Sequence, residues 1–312
     1  MPKEKTLHMT SITKKLLVAL AGTFLLVFVL FHACANLMIL IPDGGDAYGA
    51  FCHFMSSKFV KIIEIGLFAI FAVHIILTAW LWFSNRANRP VRYHHRSKTR
   101  TAAGSKLAII SGSLLLVLLV FHFYDFFFVK MNWVKGAFMV KTEQLNDERF
   151  SSTVQMLNMY QTSPEEILDM YAKAEAEGQK LTDDDRYTIN VLKTVQLIQS
   201  SSDKFSKDGM WLRQISVDQR DQLQQLFPDA EFEPDFYHIA RQKFSVWHIV
   251  LCYLIFFAVV GLHLRHGFES AFQTFGLNHY KYSRLISILG IIYVWMVCLA
   301  FSVVPLGVFF GL

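Results

Sequence analysis

Two apolar stretches of the chain end in the same dipeptide. They read Gly22-Thr-Phe-Leu-Leu-Val-Phe-Val-Leu-Phe-His32 and Gly112-Ser-Leu-Leu-Leu-Val-Leu-Leu-Val-Phe-His122, so that a glycine precedes Phe-His by the same interval in both. A run this apolar is typical of a membrane-spanning helix, and an ionisable residue inside such a helix is a candidate functional group. The echo therefore predicts two membrane helices that are built alike.

The composition supports a membrane protein. Of 312 residues, 53% are hydrophobic, 18% are charged and 29 are Phe. This balance argues against both a disordered chain and a nucleic-acid partner. The four cysteines lie singly, without the CxxC spacing of a zinc site or the pattern of a disulfide framework. They are Cys34, Cys52, Cys252 and Cys298.

Five segments are long and apolar enough to cross a bilayer, which takes about 20 helical residues. They cover roughly 16–41, 59–83, 107–129, 246–264 and 285–312. The first is longer than the 7–15 apolar residues of a signal peptide, so we interpret it as a true span. The predicted fold is an all-α integral membrane protein, a five-transmembrane-helix bundle with a helical extracytoplasmic insert. Its parts are 1–130, 131–245 and 246–312.

Charge predicts the orientation of these spans. The segment 84–106 carries seven Lys and Arg and no acid, and the N-terminus and 265–284 are also basic. By the positive-inside rule these parts are cytoplasmic, which places the C-terminus and 131–245 outside. Residues 131–245 hold 13 Lys and Arg against 19 Asp and Glu, whereas the rest of the chain holds 17 against 6.

The insert is predicted to be helical. Ser163-Pro164-Glu165-Glu166 has the pattern of a capping box with proline in the first turn. Thr182 with Asp183–Asp185 predicts the start of a second helix. The insert contains no recognisable metal or catalytic motif, and we interpret it as an outer cap over the spans.

Four histidines lie inside the first four spans, one in each: His32, His74, His122 and His263. From a rise of 1.5 Å per residue, His32 and His122 lie about 25 Å above the cytoplasmic ends of their helices. His74 and His263 lie about 20–24 Å below the outer surface, on helices that run the other way. Each level thus holds two histidines from different helices, with the levels about 10 Å apart. For any single histidine, a neutral ring bonded to a neighbouring helix is the alternative.

A bis-histidine haem needs two imidazoles that face each other at one level. Two such couples could therefore hold two haems. Small residues near the ligands, namely Ala35, Gly261 and Gly267, would let a flat macrocycle approach the backbone. A zinc or ion site would want carboxylates close by, and Asp125 near His122 is the one acid within a turn of either level.

Several motifs resemble the dihaem cytochrome b membrane anchor of succinate:quinone oxidoreductases, the succinate dehydrogenases and fumarate reductases with five spans in one subunit. The resemblance covers about 1–130 and 245–312, and its most specific part is the stretch from Leu262 to Gly276. The matching segments are Ser11-Ile12-Thr13-Lys14-Lys15, Phe31-His32 with Asn36-Leu37, Arg89-Pro90 with Tyr93, and Leu262-His263-Leu-Arg-His266-Gly267-Phe-Glu-Ser-Ala-Phe-Gln-Thr-Phe-Gly276.

The resemblance implies two haem b groups as cofactors. His74 and His263 would hold the haem nearer the cytoplasm, and His32 and His122 the outer one. It further implies menaquinone as substrate and a place in the bacterial inner membrane. Succinate or fumarate chemistry would belong to a flavoprotein and an iron–sulfur subunit, which dock on the cytoplasmic face near 86–106 and 265–284.

The chain departs from the family at three places. Ala35 stands where the family often has glycine, a small change. Gly261 stands where some fumarate reductases carry a glutamate of a proton path, so that path is not transferred. The insert is not part of the family pattern, and the resemblance implies nothing about it.

A quinone site needs proton-exchanging groups near a haem edge and water. Glu64, Asp125 and His248 meet this description, although each is also plausible as an interfacial residue that reaches for water. Two other functions stay open. One is the anchor of another quinone-linked dehydrogenase, and the other is a transporter or structural anchor without haem.

Overall fold

The computed structural model of the protein describes residues 10–88, 100–145, 148–160, 163–199, 210–277 and 279–312. The family motif Arg89-Pro90 with Tyr93, and most of the basic loop around it, lie outside the described residues. The α-helices are α1 (Ser11–Asn36), α2 (Asp46–Met55), α3 (Lys58–Ala87), α4 (Arg100–His122), α5 (Phe128–Lys130), α6 (Glu148–Tyr160), α7 (Pro164–Ala176), α8 (Asp183–Gln199), α9 (Val217–Leu226), α10 (Phe236–Phe244), α11 (Trp247–Thr274) and α12 (Tyr280–Phe310). Short 3₁₀ turns cover Leu37–Leu40 and Thr142–Leu145, and a π-helical turn, Phe123–Phe127, follows α4 directly. The strands are β1 (Phe138–Lys141), β2 (Trp211–Ile215) and β3 (Glu233–Pro234).

Five helical segments in the described part of the chain are long and apolar enough to cross a membrane. They are Ser11–Leu40, Lys58–Ala87, Leu107–Lys130, Trp247–Thr274 and Tyr280–Phe310. Each overlaps one predicted span, so the prediction of an all-α membrane bundle is confirmed and the chain is a multi-pass membrane protein. A helix suits this setting because it satisfies its backbone hydrogen bonds internally.

The chain divides into two compact units. The bundle unit contains the described parts of 1–41, 51–122 and 241–312. In it α1 packs against α3, α11 and α12, while α4 and α12 both pack against α11. Ala33, Leu264 and Val297 form a small core where α1, α11 and α12 meet. The most apolar part of α3 has no buried residue, as expected for a helix whose side chains face lipid.

Helices α11 and α12 pack closely because each contributes a glycine to their contact. A Cβ added at Gly261 would lie 2.8 Å from Cys298 Sγ, and one at Gly290 would lie 3.0 Å from the Phe268 ring. The Tyr293 hydroxyl donates a 2.6 Å hydrogen bond to the Leu26 carbonyl of α1. These contacts hold α12 against α11 and α1.

The insert unit contains 42–50 and the described parts of 123–240. Both predicted helix starts are confirmed. The Ser163 hydroxyl accepts from the Glu166 N–H before α7, and the Thr182 hydroxyl accepts from the Asp185 N–H before α8. The sequence did not predict the antiparallel sheet of this unit, whose strand order is β2-β1-β3. Its strands have two to five residues and are buried almost throughout, so they show no alternating pattern.

The boundaries of this unit differ from the predicted 131–245, because the segment 42–50 packs with it. The buried Arg213 side chain of β2 makes a 3.1 Å ion pair with Asp46 and donates a 3.0 Å hydrogen bond to the Gly44 carbonyl. Burial alone would raise the pKa of the Asp43 carboxyl, but hydrogen bonds from the backbone N–H groups of Gly45 and Ala47 hold that pKa below its usual value.

Candidate functional site

The four histidines inside the spans all belong to the bundle unit, and the structure brings them together as two couples. The ring centroids of His32 on α1 and His122 on α4 are 6.0 Å apart, with planes at 79°. Those of His74 on α3 and His263 on α11 are 6.4 Å apart, with planes at 84°. These are the couples expected from the depths of the residues along their helices.

Two glycines place the inner couple. A Cβ added at Gly22 of α1 would lie 3.4 Å from Cε1 of His74, and one at Gly112 of α4 would lie 3.1 Å from Cε1 of His263. The repeated glycine in the sequence therefore makes room for a histidine of the neighbouring helix. Because each glycine precedes the outer histidine of its own helix by ten residues, the two couples lie about 15 Å apart along both helices, farther than the expected spacing of about 10 Å.

The predicted role of other small residues differs from their positions. Gly261 faces Cys298 and Val294 of α12 rather than a histidine. Nothing among the described residues lies within 4 Å of a Cβ added at Gly267. In the span that holds His32, the fully buried small residue is Ala33, while Ala35 is only half-buried. Gly261 thus serves helix packing, and Gly22 and Gly112 are the small residues that face the inner histidines.

The inner couple lies among polar groups of the helix backbones. The Ser111 hydroxyl of α4 lies 3.2 Å from Nδ1 of His263 and donates a 3.2 Å hydrogen bond to the Ala108 carbonyl. Nδ1 of His74 is buried, and the Val18 carbonyl of α1 faces the His74 ring. Sequence analysis missed Ser111, although it directly precedes the Gly112 that begins the repeated stretch.

The outer couple is enclosed by aromatic side chains. The His32 ring stacks on Phe28, with centroids 5.6 Å apart and planes at 15°, and lies 5.7 Å from Phe301 of α12. The His122 ring lies 6.3 Å from both Tyr253 and Phe256 of α11. These rings place apolar surface around the two imidazoles.

The geometry of both couples fits a shared metal. A metal bonded to two imidazoles holds their centroids about 6.3 Å apart, because each metal–nitrogen bond is about 2.0–2.1 Å and each nitrogen lies about 1.1 Å from its ring centre. The measured 6.0 and 6.4 Å agree with this spacing. An edge-to-face ring contact covers about 4.5–7 Å, so distance alone fits both arrangements.

The nitrogen atoms of His263 bear on the choice between a shared metal and a simple ring contact. At His263, the Ser111 hydroxyl lies 3.2 Å from Nδ1, and the Ala108 carbonyl also faces the ring. A neutral imidazole with its proton on Nδ1 has a lone pair on Nε2, and within the described ranges no hydrogen bond to this atom is present. The second nitrogen is therefore available as a metal ligand, as in sites where an outer partner orients a ligating histidine.

A metal held by many protein ligands has no candidate in the described part of the chain. No three His, Cys, Asp or Glu side chains converge there to hold an ion. Zinc sites take three or four such ligands. A haem iron needs two at most, because the porphyrin supplies the other four. The donor set of each couple therefore fits a bis-histidine haem.

The three predicted quinone-site residues lie on separate helical segments. Glu64 is partly buried near the start of α3, and His248 is exposed at the second residue of α11, with its ring 5.7 Å from that of Trp247. Asp125 lies in the π-helical turn and belongs to the insert unit. Their role in a quinone site stays a prediction.

No protein-family model, curated protein sequence or solved structure matches this chain.

Proposed function

We propose that this chain is a dihaem cytochrome b that anchors a succinate:quinone oxidoreductase in the bacterial inner membrane. The observation that carries the proposal is the pair of facing histidine couples, each formed by two different helices. His74 and His263 would hold the haem nearer the cytoplasm, and His32 and His122 the outer haem. When bound, the two haems supply one-electron transfer through the membrane.

The protein side of this function is orientation and exclusion of water. Ser111 holds the His263 ring with Nδ1 toward α4, so that Nε2 points away from the backbone. Phe28, Phe301, Tyr253 and Phe256 enclose the outer imidazoles. Neutral rings in such surroundings suit metal binding, because a ligating histidine must carry no proton on its ligating nitrogen.

Interfacial contacts support the proposed orientation. Lys14 at the start of α1 lies 4.8 Å from the ring of Trp80 near the end of α3, and Arg86 lies 5.7 Å from the ring of Trp82. Tryptophans and basic residues gather where a helix meets the membrane surface. These ends of α1 and α3 would face the cytoplasm, where the iron–sulfur and flavoprotein subunits dock. Residues 131–245 and the C-terminus would then lie outside.

Menaquinone is the proposed electron acceptor or donor on the membrane side. Its reaction moves two protons with two electrons, so groups that exchange protons with water are needed beside it. Glu64 and His248 lie close to the proposed outer ends of α3 and α11, and Asp125 follows α4 by three residues. We assign these three side chains as candidate proton carriers of the quinone site.

The complex isolated in mild detergent tests the enzyme class. We expect the chain to co-purify with a flavoprotein and an iron–sulfur protein, and succinate or reduced menaquinone analogue to reduce its haems. Glu64→Gln and His248→Ala should lower quinone-linked turnover while both haems stay bound.

Three other outcomes would redirect the assignment. Haem with partners that lack flavin would indicate another quinone-linked dehydrogenase. A chain without haem would indicate a transporter or structural anchor. Unchanged quinone turnover in both variants would remove Glu64 and His248 from the quinone site.

A further inference from the structure

The inner couple is built from two equivalent places on α1 and α4. Gly22 and Gly112 each lie against an inner histidine and are each followed ten residues later by an outer histidine. Four residues before these glycines, the Val18 carbonyl faces His74 and the Ala108 carbonyl faces His263. Each inner histidine therefore has the same backbone surroundings.

The residue before the glycine breaks this equivalence. On α4 it is Ser111, with 3% of its surface exposed and its hydroxyl 3.2 Å from Nδ1 of His263. With its proton on the Ala108 carbonyl, 3.2 Å away, the hydroxyl oxygen accepts from Nδ1–H of His263. On α1 the equivalent residue is Ala21, which has no hydroxyl, so His74 has the Val18 carbonyl beside it but no side-chain partner of this kind.

We propose that Ser111 is a positioning residue that makes His263 the stronger of the two inner ligands and lowers the reduction potential of the inner haem. A hydrogen bond accepted from Nδ1–H raises the basicity of the opposite nitrogen, and a more basic ligand stabilises ferric iron. Ala21 leaves His74 the weaker ligand of the couple. The inference rests on the proposed function, because it needs haem at this couple.

Three variants test the role in opposite directions. Ser111→Ala removes the hydroxyl from His263, Ala21→Ser offers one to His74, and the third variant combines both changes. A single hydrogen bond changes the ferric-to-ferrous ratio at fixed potential about fivefold. This ratio corresponds to about 40 mV for one electron. Ser113→Ala is the matched control, since Ser113 lies two residues further along α4 and is exposed.

The measurement is a potentiometric titration of the haem bands in the purified protein. We expect the potential of the inner haem to rise in Ser111→Ala, fall in Ala21→Ser and return close to the wild-type value in the double variant. The outer haem and Ser113→Ala should titrate as wild type. The inner haem is identified as the one lost in His74→Ala.

The outcomes separate this inference from the proposed function. If two haems are bound and neither potential changes in Ser111→Ala or Ala21→Ser, the role of Ser111 is overturned and the cytochrome assignment stays intact. A shift of the outer haem instead would also overturn it. Absence of haem from the wild-type protein would overturn both. If Ser111→Ala does not fold, Ala21→Ser alone decides, because it leaves Ser111 in place.

Discussion

The buried polar groups of the two units are paired in different ways. In the insert unit, Arg213 meets Asp46 at 3.1 Å, and the buried Asp235 meets His238 at 2.6 Å, so a base faces an acid in each case. In the bundle unit, each of the two couples joins one imidazole to another. Neither couple joins an acid to a base.

An imidazole couple joins two groups of the same kind. Two neutral rings each have one donor and one acceptor nitrogen, and an apolar bundle offers little to satisfy them. Insert pairs therefore stabilise the fold, whereas bundle couples are suited to hold a third group between them. Substitutions in the two kinds of pair should therefore have different effects, on haem content in the bundle unit and on stability in the insert unit.

The largest effect is expected from replacing the histidines. His74→Ala combined with His263→Ala should cost one haem per chain, the same as either change alone, because both belong to one site. His74→Ala combined with His122→Ala should cost both haems. His266→Ala, three residues from His263 on α11, is the control and should keep both. Haem content per purified chain is measured for all five variants, and additive losses within one couple would refute the pairing.

The next effect concerns the insert. Arg213→Met removes the buried guanidinium that pairs with Asp46, and because Asp46 is 21% exposed we expect a loss near the lower end of the usual range, about 3 kcal/mol. Hydrogen exchange in 123–240 should rise while the haem spectrum stays unchanged, since the four proposed haem ligands belong to the bundle unit. Arg186→Met replaces an exposed arginine of α8 and should change neither the hydrogen exchange nor the haem spectrum. A lost haem spectrum in Arg213→Met would contradict the separation of roles.

A smaller effect is expected from Gly112→Ala. The new Cβ would lie 3.1 Å from Cε1 of His263, so the ring must shift by a few tenths of an ångström. We expect a cost of about 1 kcal/mol and correspondingly faster thermal release of the inner haem. Gly66→Ala on α3 is the control, because nothing among the described residues lies within 4 Å of its new Cβ. Equal release rates in both variants would show that Gly112 does not position His263.

The smallest effect is a pH dependence in the insert. The pKa of Asp43 is lower in the folded protein than in the unfolded chain, so the ionised carboxylate stabilises the fold above the unfolded pKa of about 4. This stability is lost as pH falls through the folded pKa. Asp43→Asn should therefore melt below wild type at pH 6 and approach it near pH 3. A difference that grows toward low pH would reverse the sign and reject this role.

Much of the bundle could be predicted because its signals are local. A run of about 20 apolar residues identifies a span without knowledge of any other part of the chain. Residue rise along a helix converts sequence distance to depth, which was enough to couple His32 with His122 and His74 with His263. The repeated Gly22 and Gly112 were visible too, but their contact with the inner histidines was not.

The other features depend on contacts between distant residues. Strands of two to five residues leave no period, and Pro234 in β3 argues against a strand by local propensity. The segment 42–50 joins the insert through Arg213, about 170 residues further along the chain. Ser111 meets His263 across a separation of 152 residues. Such partners follow from the folded structure and not from local pattern.

Haem content of the purified wild-type chain tests the central claim most directly. The protein is expressed with haem supply, purified in detergent, and its haem is quantified as the pyridine complex against protein concentration. Two facing histidine couples predict two haem b per chain, with a reduced spectrum after dithionite. A well-folded chain that contains no haem b would contradict the account, because the couples would then be ring contacts alone.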